Sequence, residues 1–171
     1  MAIWRKSGWA VIALMALLIA GCSSPKSAIA PFYAENSWSG RLLLKAETQP
    51  PIHFSAAFEL TGSPQQGRLL LSTPLGTTLA TAHWQPGTAE LRGAGEAKVF
   101  GTLDELTEAM TGTKLPVAAL FAWLEGRPHN ADGWEADTGH IADGRLNARR
   151  VHPLPPAELR LLFEPPARTA P

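Results

Sequence analysis

One cysteine and one tyrosine stand in a chain of 171 residues, and its 15 lysines and arginines match its 15 aspartates and glutamates. A single thiol forms no intramolecular disulfide and leaves no cysteine pair to hold a metal. Without a basic excess or cluster, the chain lacks the electrostatic field that nucleic-acid binding needs. The five histidines are His53, His83, His129, His140 and His152, and no two lie three or four residues apart. Metal-ligand spacing is therefore missing. No serine sits in a G-x-S-x-G elbow, and the glycines make no Walker or dinucleotide pattern. Asp104, Glu105 and Glu108 do crowd together, but at a predicted helix start, where the macrodipole accounts for them. The expectation is a protein that is not an enzyme and uses neither metal nor cofactor.

Long apolar runs are scarce too, and the one present opens the chain: "MAIWRKSGWAVIALMALLIAGCSS". Arg5 and Lys6 precede an apolar stretch from Trp9 to Ala20, too short for a comfortable transmembrane helix. It ends in "LIAGC", small residues leading directly to Cys22. This resembles a bacterial lipoprotein signal, with cleavage before Cys22 and acylation of that residue. An ordinary signal peptide or an uncleaved anchor are the alternatives. A multiply acylated cysteine binds membrane almost irreversibly, each buried CH₂ contributing about 0.8 kcal/mol. Ser23, next to the cysteine, points by resemblance to sorted lipoproteins toward the outer membrane. The predicted organisation is a cleaved signal over 1–21, a lipidated cysteine and linker over 22–37, one domain over 38–164 and a Pro-rich tail over 165–171. Cleavage leaves 13 basic residues (15 less Arg5 and Lys6) against 15 acidic ones. The remaining length suffices for one domain with a sizeable core.

What the chain does have is period-two alternation. In "HFSAAFEL" (53–60), Phe54, Ala56, Phe58 and Leu60 share one face. "GRLLLKA" (40–46), "GRLLLST" (67–73), "TTLATAHW" (77–84) and "TAELRG" (88–93) read the same way, separated by Pro- and Gly-rich turns. The period then lengthens. Asp104 is the predicted cap of "ELTEAMTG", closed by Gly112, and Pro116 opens "VAALFAWLEG", closed by Gly126. Strands return at 134–138, 145–152 and 158–164. The predicted class is α+β: a strongly curved antiparallel sheet, an incomplete β-barrel, with two short helices lidding or lining an apolar interior.

Within "STPLGTT" (72–78), Leu75 sits between Pro74 and Gly76 at a turn tip. Burial of a leucine contributes roughly 1.5–3 kcal/mol, so such a position asks for a reason. Either the loop folds back over the side chain, or the side chain is exposed for use.

The order "SGRLLL", "FSAAFEL", "GRLLLSTPLGTTLA", "LTEAMTG", "LPVAALFAWLEGRP" resembles the LolB family, outer-membrane receptors of the lipoprotein localisation (Lol) system. The most specific pieces are the "L-x-x-PLG-[ST]" turn, Leu71 to Thr77, and the "TG-x-x-[IL]P" segment running through Trp123 to Pro128. The resemblance holds from Trp38 to Pro128 and thins from Trp134. There "LNARRVHPLPPAELRLLFE" replaces the family's aromatic-rich end, leaving the last strands and the cavity they border undefined. The resemblance implies a half-barrel around an apolar cavity, a monomer at the periplasmic face of the outer membrane. It also implies a receptor that takes lipoproteins from the carrier LolA and inserts their acyl chains into the inner leaflet. The membrane-inserting leucine of the family corresponds to Leu75.

Candidate cavity residues are Leu42, Leu44, Phe54, Phe58, Leu69, Leu71 and Leu79 from the strands, and Leu120, Trp123 and Leu124 from the second helix. Each reads as ordinary core before it reads as a ligand contact. Arg41 and Arg68 stand at similar strand starts and read as solvated cations. The rival readings are an assembly lipoprotein that binds a protein partner and a small-lipid carrier sharing the half-barrel.

Overall fold

The computed structural model describes residues 36–111, 114–131 and 133–164. The signal, Cys22 and the linker as far as Glu35, Gly112 and the tail lie outside the described residues, and the last linker position, Ser37, already opens the first strand.

The strands are β1 (Ser37–Ala46), β2 (Ile52–Gly62), β3 (Gly67–Ser72), β4 (Thr78–Gln85), β5 (Thr88–Arg92) and β6 (Lys98–Phe100). Two helices follow, α1 (Leu103–Thr111) and α2 (Val117–Leu124). The chain ends with β7 (Trp134–Asp137), a 3-10 turn (Ile141–Asp143), β8 (Arg145–Arg150) and β9 (Ala157–Phe163). All nine strands join one sheet, ordered β6-β5-β4-β3-β2-β1-β9-β8-β7. Every pairing is antiparallel. The edges, β6 and β7, do not pair with each other, so the curved sheet stays an incomplete barrel. Both edges are short, which limits unwanted edge pairing.

The order explains the helices' place. β6 ends at one edge of the sheet and β7 begins at the other, so the intervening chain must cross the sheet. That chain is α1 and α2, and their apolar sides meet the buried sheet face. The core joins Trp38, Leu44, Phe58, Leu60 and Trp84 of the strands to Leu106 of α1 and Phe121 of α2.

Alternation survives in detail. β2 exposes His53, Ser55 and Glu59 while Ala56, Phe58 and Leu60 are buried. β8 buries Leu146, Ala148 and Arg150 and exposes the residues between them. β9 buries Ala157, Leu159, Leu161 and Phe163.

The start of α1 corrects one expectation. Its cap is Thr102, whose Oγ1 accepts the Glu105 N–H at 3.2 Å. The Glu105 carboxylate in turn accepts the Gly101 N–H at 3.0 Å. This is a Thr-x-x-Glu capping pattern, and Asp104 falls inside the first turn instead. The end of α2 is as expected. Gly126 has φ +74°, its N–H donates to the Trp123 carbonyl, and the Arg127 N–H donates to the Ala122 carbonyl. That is a Schellman motif, and it needs the left-handed glycine.

Candidate functional site

Between the inner face of the sheet and the two helices lies a cavity of about 150 Å³. The sheet contributes Leu42, Leu44, Phe54, Phe58, Leu69 and Leu71. Leu103, Leu106 and Met110 of α1 close it on one side, with Leu115, Val117 and Leu120 beyond. Among the described residues, Thr107 and Thr111 are its only side chains with a polar group besides the Trp84 indole. Thr107 is occupied twice: its Oγ1 donates to the Asp104 carbonyl at 3.0 Å and accepts the Leu115 N–H at 3.2 Å. The Trp84 indole N–H donates to the Ser63 carbonyl at 3.0 Å. Among the described residues the lining carries no titratable group, so it offers a charged headgroup no partner. Its chemistry suits hydrocarbon.

Seven of the ten predicted cavity residues meet there: Leu42, Leu44, Phe54, Phe58, Leu69, Leu71 and Leu120. Three do not. Counting back by two from the buried Trp84 and Ala82 reaches Ala80, so Leu79 belongs to the outer face. A register shift there makes it a bulge residue as well, with Leu71 opposite Ala80 but Ser72 opposite Thr78. Trp123 and Leu124 are fully buried but outside the lining. The Trp123 indole N–H donates to the His129 carbonyl at 3.0 Å, which turns the ring toward the chain leaving α2.

Sequence reasoning missed Leu159 and Leu161 of β9, which also line the cavity. They sit beside β1, with Leu159 opposite Leu44 and Leu161 opposite Leu42. The signal was the same period-two alternation, in the segment where the family resemblance is weakest. α2 is fixed by its own ring: Phe121 packs edge-on against Trp38 at 5.6 Å and Trp84 at 6.3 Å between centroids.

Leu75 is 95% exposed. The Gly76 N–H donates to the Thr73 carbonyl at 2.9 Å, the Thr73 N–H to the Thr77 carbonyl at 2.8 Å, and the Thr77 N–H to Thr73 Oγ1 at 3.1 Å. Among the described residues no non-glycine residue has positive φ, while Gly76 has φ +85°. Pro74 and Leu75 therefore occupy the centre of a type I turn and Gly76 its left-handed exit. The turn is hydrogen-bonded without using the Leu75 side chain, which is held out. Of the two readings left open at this leucine, the folded-back one is excluded.

Charges lie elsewhere. Arg41 and Arg68 are exposed on the outer face. His83, opposite Arg68 and Glu90, is lowered below 6.5, chiefly by burial and next by Arg68, with Glu90 opposing. The Asp143 carboxyl is lowered by hydrogen bonds from His140 and Arg145. Among the described residues no three of His, Cys, Asp or Glu gather to hold a metal.

Comparison with known proteins gives this architecture a family. The model of the family described as "Outer membrane lipoprotein LolB" matches residues 36–150, so the match runs beyond Pro128, through β7 and β8. The outer-membrane lipoprotein LolB of Halorhodospira halophila is 35% identical over 137 residues, 72% of this chain and 65% of that protein, just under two thirds of its length. That of Chromobacterium violaceum is 31% identical over 148 residues, covering 81% of this chain and 76% of the relative. In Bordetella petrii the relative is 30% identical, with 88% of each chain covered. The chain belongs to the LolB family of outer-membrane lipoproteins.

Proposed function

We propose that this protein is a lipid-anchored receptor on the periplasmic face of the outer membrane. It accepts acylated lipoproteins from the carrier LolA in its cavity and inserts their acyl chains into the inner leaflet. The observation that carries this reading is a hydrocarbon-lined cavity without titratable groups, in a chain of the LolB family. Acylation of Cys22 supplies the anchor, and 22–37 the tether that lets the domain reach both carrier and membrane.

The energetics favour such a device. A triacylated substrate carries roughly 45 methylenes, so full exposure to water costs on the order of 35 kcal/mol. Spontaneous crossing of an aqueous space is negligible, and a concave apolar host removes most of that cost. With no nucleotide motif in the chain, handover runs downhill in affinity, from carrier to receptor to bilayer.

The cavity as it stands has room for on the order of ten water-sized groups, far fewer than the methylenes to be held. Occupation therefore requires the lid to move. α1 is the moving part: only Leu106 and Thr107 of it are buried, and the Thr107–Leu115 hydrogen bond is one tie between it and the segment before α2. α2 stays, held by Phe121 and Trp123.

Leu75 acts at delivery. Entering the leaflet buries a side chain whose burial is worth about 1.5–3 kcal/mol and brings the mouth of the cavity to the lipid. The test separates capture from delivery. Carrier-bound, acyl-labelled lipoprotein is mixed with the receptor, then with liposomes. The parent moves label to itself and onward. Leu75→Glu takes the label but fails to pass it on. Delivery by Leu75→Glu at the parent's rate overturns the wedge, and no label on the parent at either stage overturns the receptor.

A further inference from the structure

Leu75 is not alone at its end of the molecule. Val151 and Leu154, in the connection between β8 and β9, are 62% and 72% exposed. β3 and β8 run in one direction along the sheet and β4 and β9 in the other, so both connections leave it at the same end. The two tips are staggered along the strands, with Ser72 opposite Ala57 but Ala157 opposite Ala46. In a curved sheet, strand tilt lets staggered tips share one rim. At the other end, the turns 63–66 and 86–87 carry only serine, proline, glutamine and glycine, and the β7–β8 connection keeps its one large apolar residue, Ile141, half-buried against the core.

The β8–β9 connection is also held from both sides. Arg150 Nη2 donates to the Pro155 carbonyl at 2.7 Å, with its guanidinium 5.6 Å from the centroid of the Trp134 ring. The Glu47 N–H donates to the Pro156 carbonyl at 2.9 Å. A pinned backbone that leaves Val151 and Leu154 outside repeats the logic of the Leu75 turn. Beside it lies a shallow depression where Lys45, Arg149, Arg150 and Arg160 face Glu47 and Glu158. Exposed apolar side chains next to an excess of cations match the acyl–headgroup boundary of an anionic bilayer.

We propose that the β8–β9 connection is a second bilayer contact: Val151 and Leu154 enter the interface of an anionic leaflet while Lys45 and Arg149 meet its phosphates. The inference rests on the reading of the protein as one that delivers at a membrane. It adds an orientation, because one leucine defines a point of contact whereas two loops define a face.

The test uses the acylated full chain in vesicles of phosphatidylethanolamine and phosphatidylglycerol. A polarity-sensitive nitrobenzoxadiazole label is placed in turn at Leu154→Cys, Leu75→Cys and, at the opposite end, Gln65→Cys. Emission at positions 154 and 75 rises about threefold on vesicle binding and is quenched by spin-labelled lipid, while position 65 stays as in water. A dry position 75 with a wet position 154 overturns this contact and leaves the delivery reading intact. Both positions wet overturns the two together. A position 154 that dries only when the carrier protein is added overturns the bilayer in favour of a protein partner.

Discussion

Single residues hold the site's shape at points that composition does not flag. Gly67, buried at the start of β3, lies directly beneath Trp84, and a Cβ there would collide with that ring and with the Thr61 carbonyl oxygen. Gly67→Ala should therefore lower stability by about 1–3 kcal/mol through overpacking, read as a shift of the urea midpoint. His83 supplies a pH dependence. Its folded pKa lies below the ordinary 6.5 of a histidine, so the unfolded chain takes the proton first as pH falls. Its contribution is intact above pH 6.5, declines as pH drops through the window down to the folded value, and levels off below it. His83→Gln should flatten that part of the stability–pH curve, and an unchanged slope would assign it to other groups. Leu75 was legible as a residue needing explanation, because Pro74 and Gly76 announce the turn around it. Leu79 was misplaced because its hydrophobicity outweighed its parity, and no local signal marks the bulge that isolates it.

At the scale of elements, alternation located every strand but one, since antiparallel strands with one solvated face keep a clean period of two. β6 escaped notice because three residues cannot display a period, and Val99 in its centre is exposed. The α1 cap was misread because Asp104 and Thr102 are both good caps. What decides between them is side-chain geometry: the Glu105 N–H donates to Thr102 Oγ1 and the Glu105 carboxylate reaches back to the Gly101 N–H. The helices differ in how they are held, and this is testable. Phe121 is fully buried between two tryptophans, so Phe121→Ala should cost about 3–5 kcal/mol and detach α2. Thr107→Val removes the acceptor of the Leu115 N–H, which is an α1 contact. It should cost about 1–3 kcal/mol and raise hydrogen exchange in α1 before α2, as a mobile lid beside a fixed one requires.

For the whole molecule, the long-range fact is that the last strands lie next to the first. β9 pairs with β1, placing Leu159 and Leu161 against Leu44 and Leu42, so the C-terminal segment completes the cavity wall. Strand count and turn spacing showed a curved sheet, but not which strand closes beside β1, because pairing between distant segments leaves no local pattern. The helical crossover between opposite edges is what puts a lid over the concave face. The central claim, that this cavity receives acyl chains, is tested most directly by photo-crosslinking. A benzophenone amino acid is placed at Leu69, inside the cavity, or at Ser55, on the outer face, and the carrier loaded with acyl-labelled lipoprotein is added under illumination. The account predicts crosslinks to the acyl chains at position 69 and none at position 55. Crosslinks at position 55 with none at position 69 would contradict it.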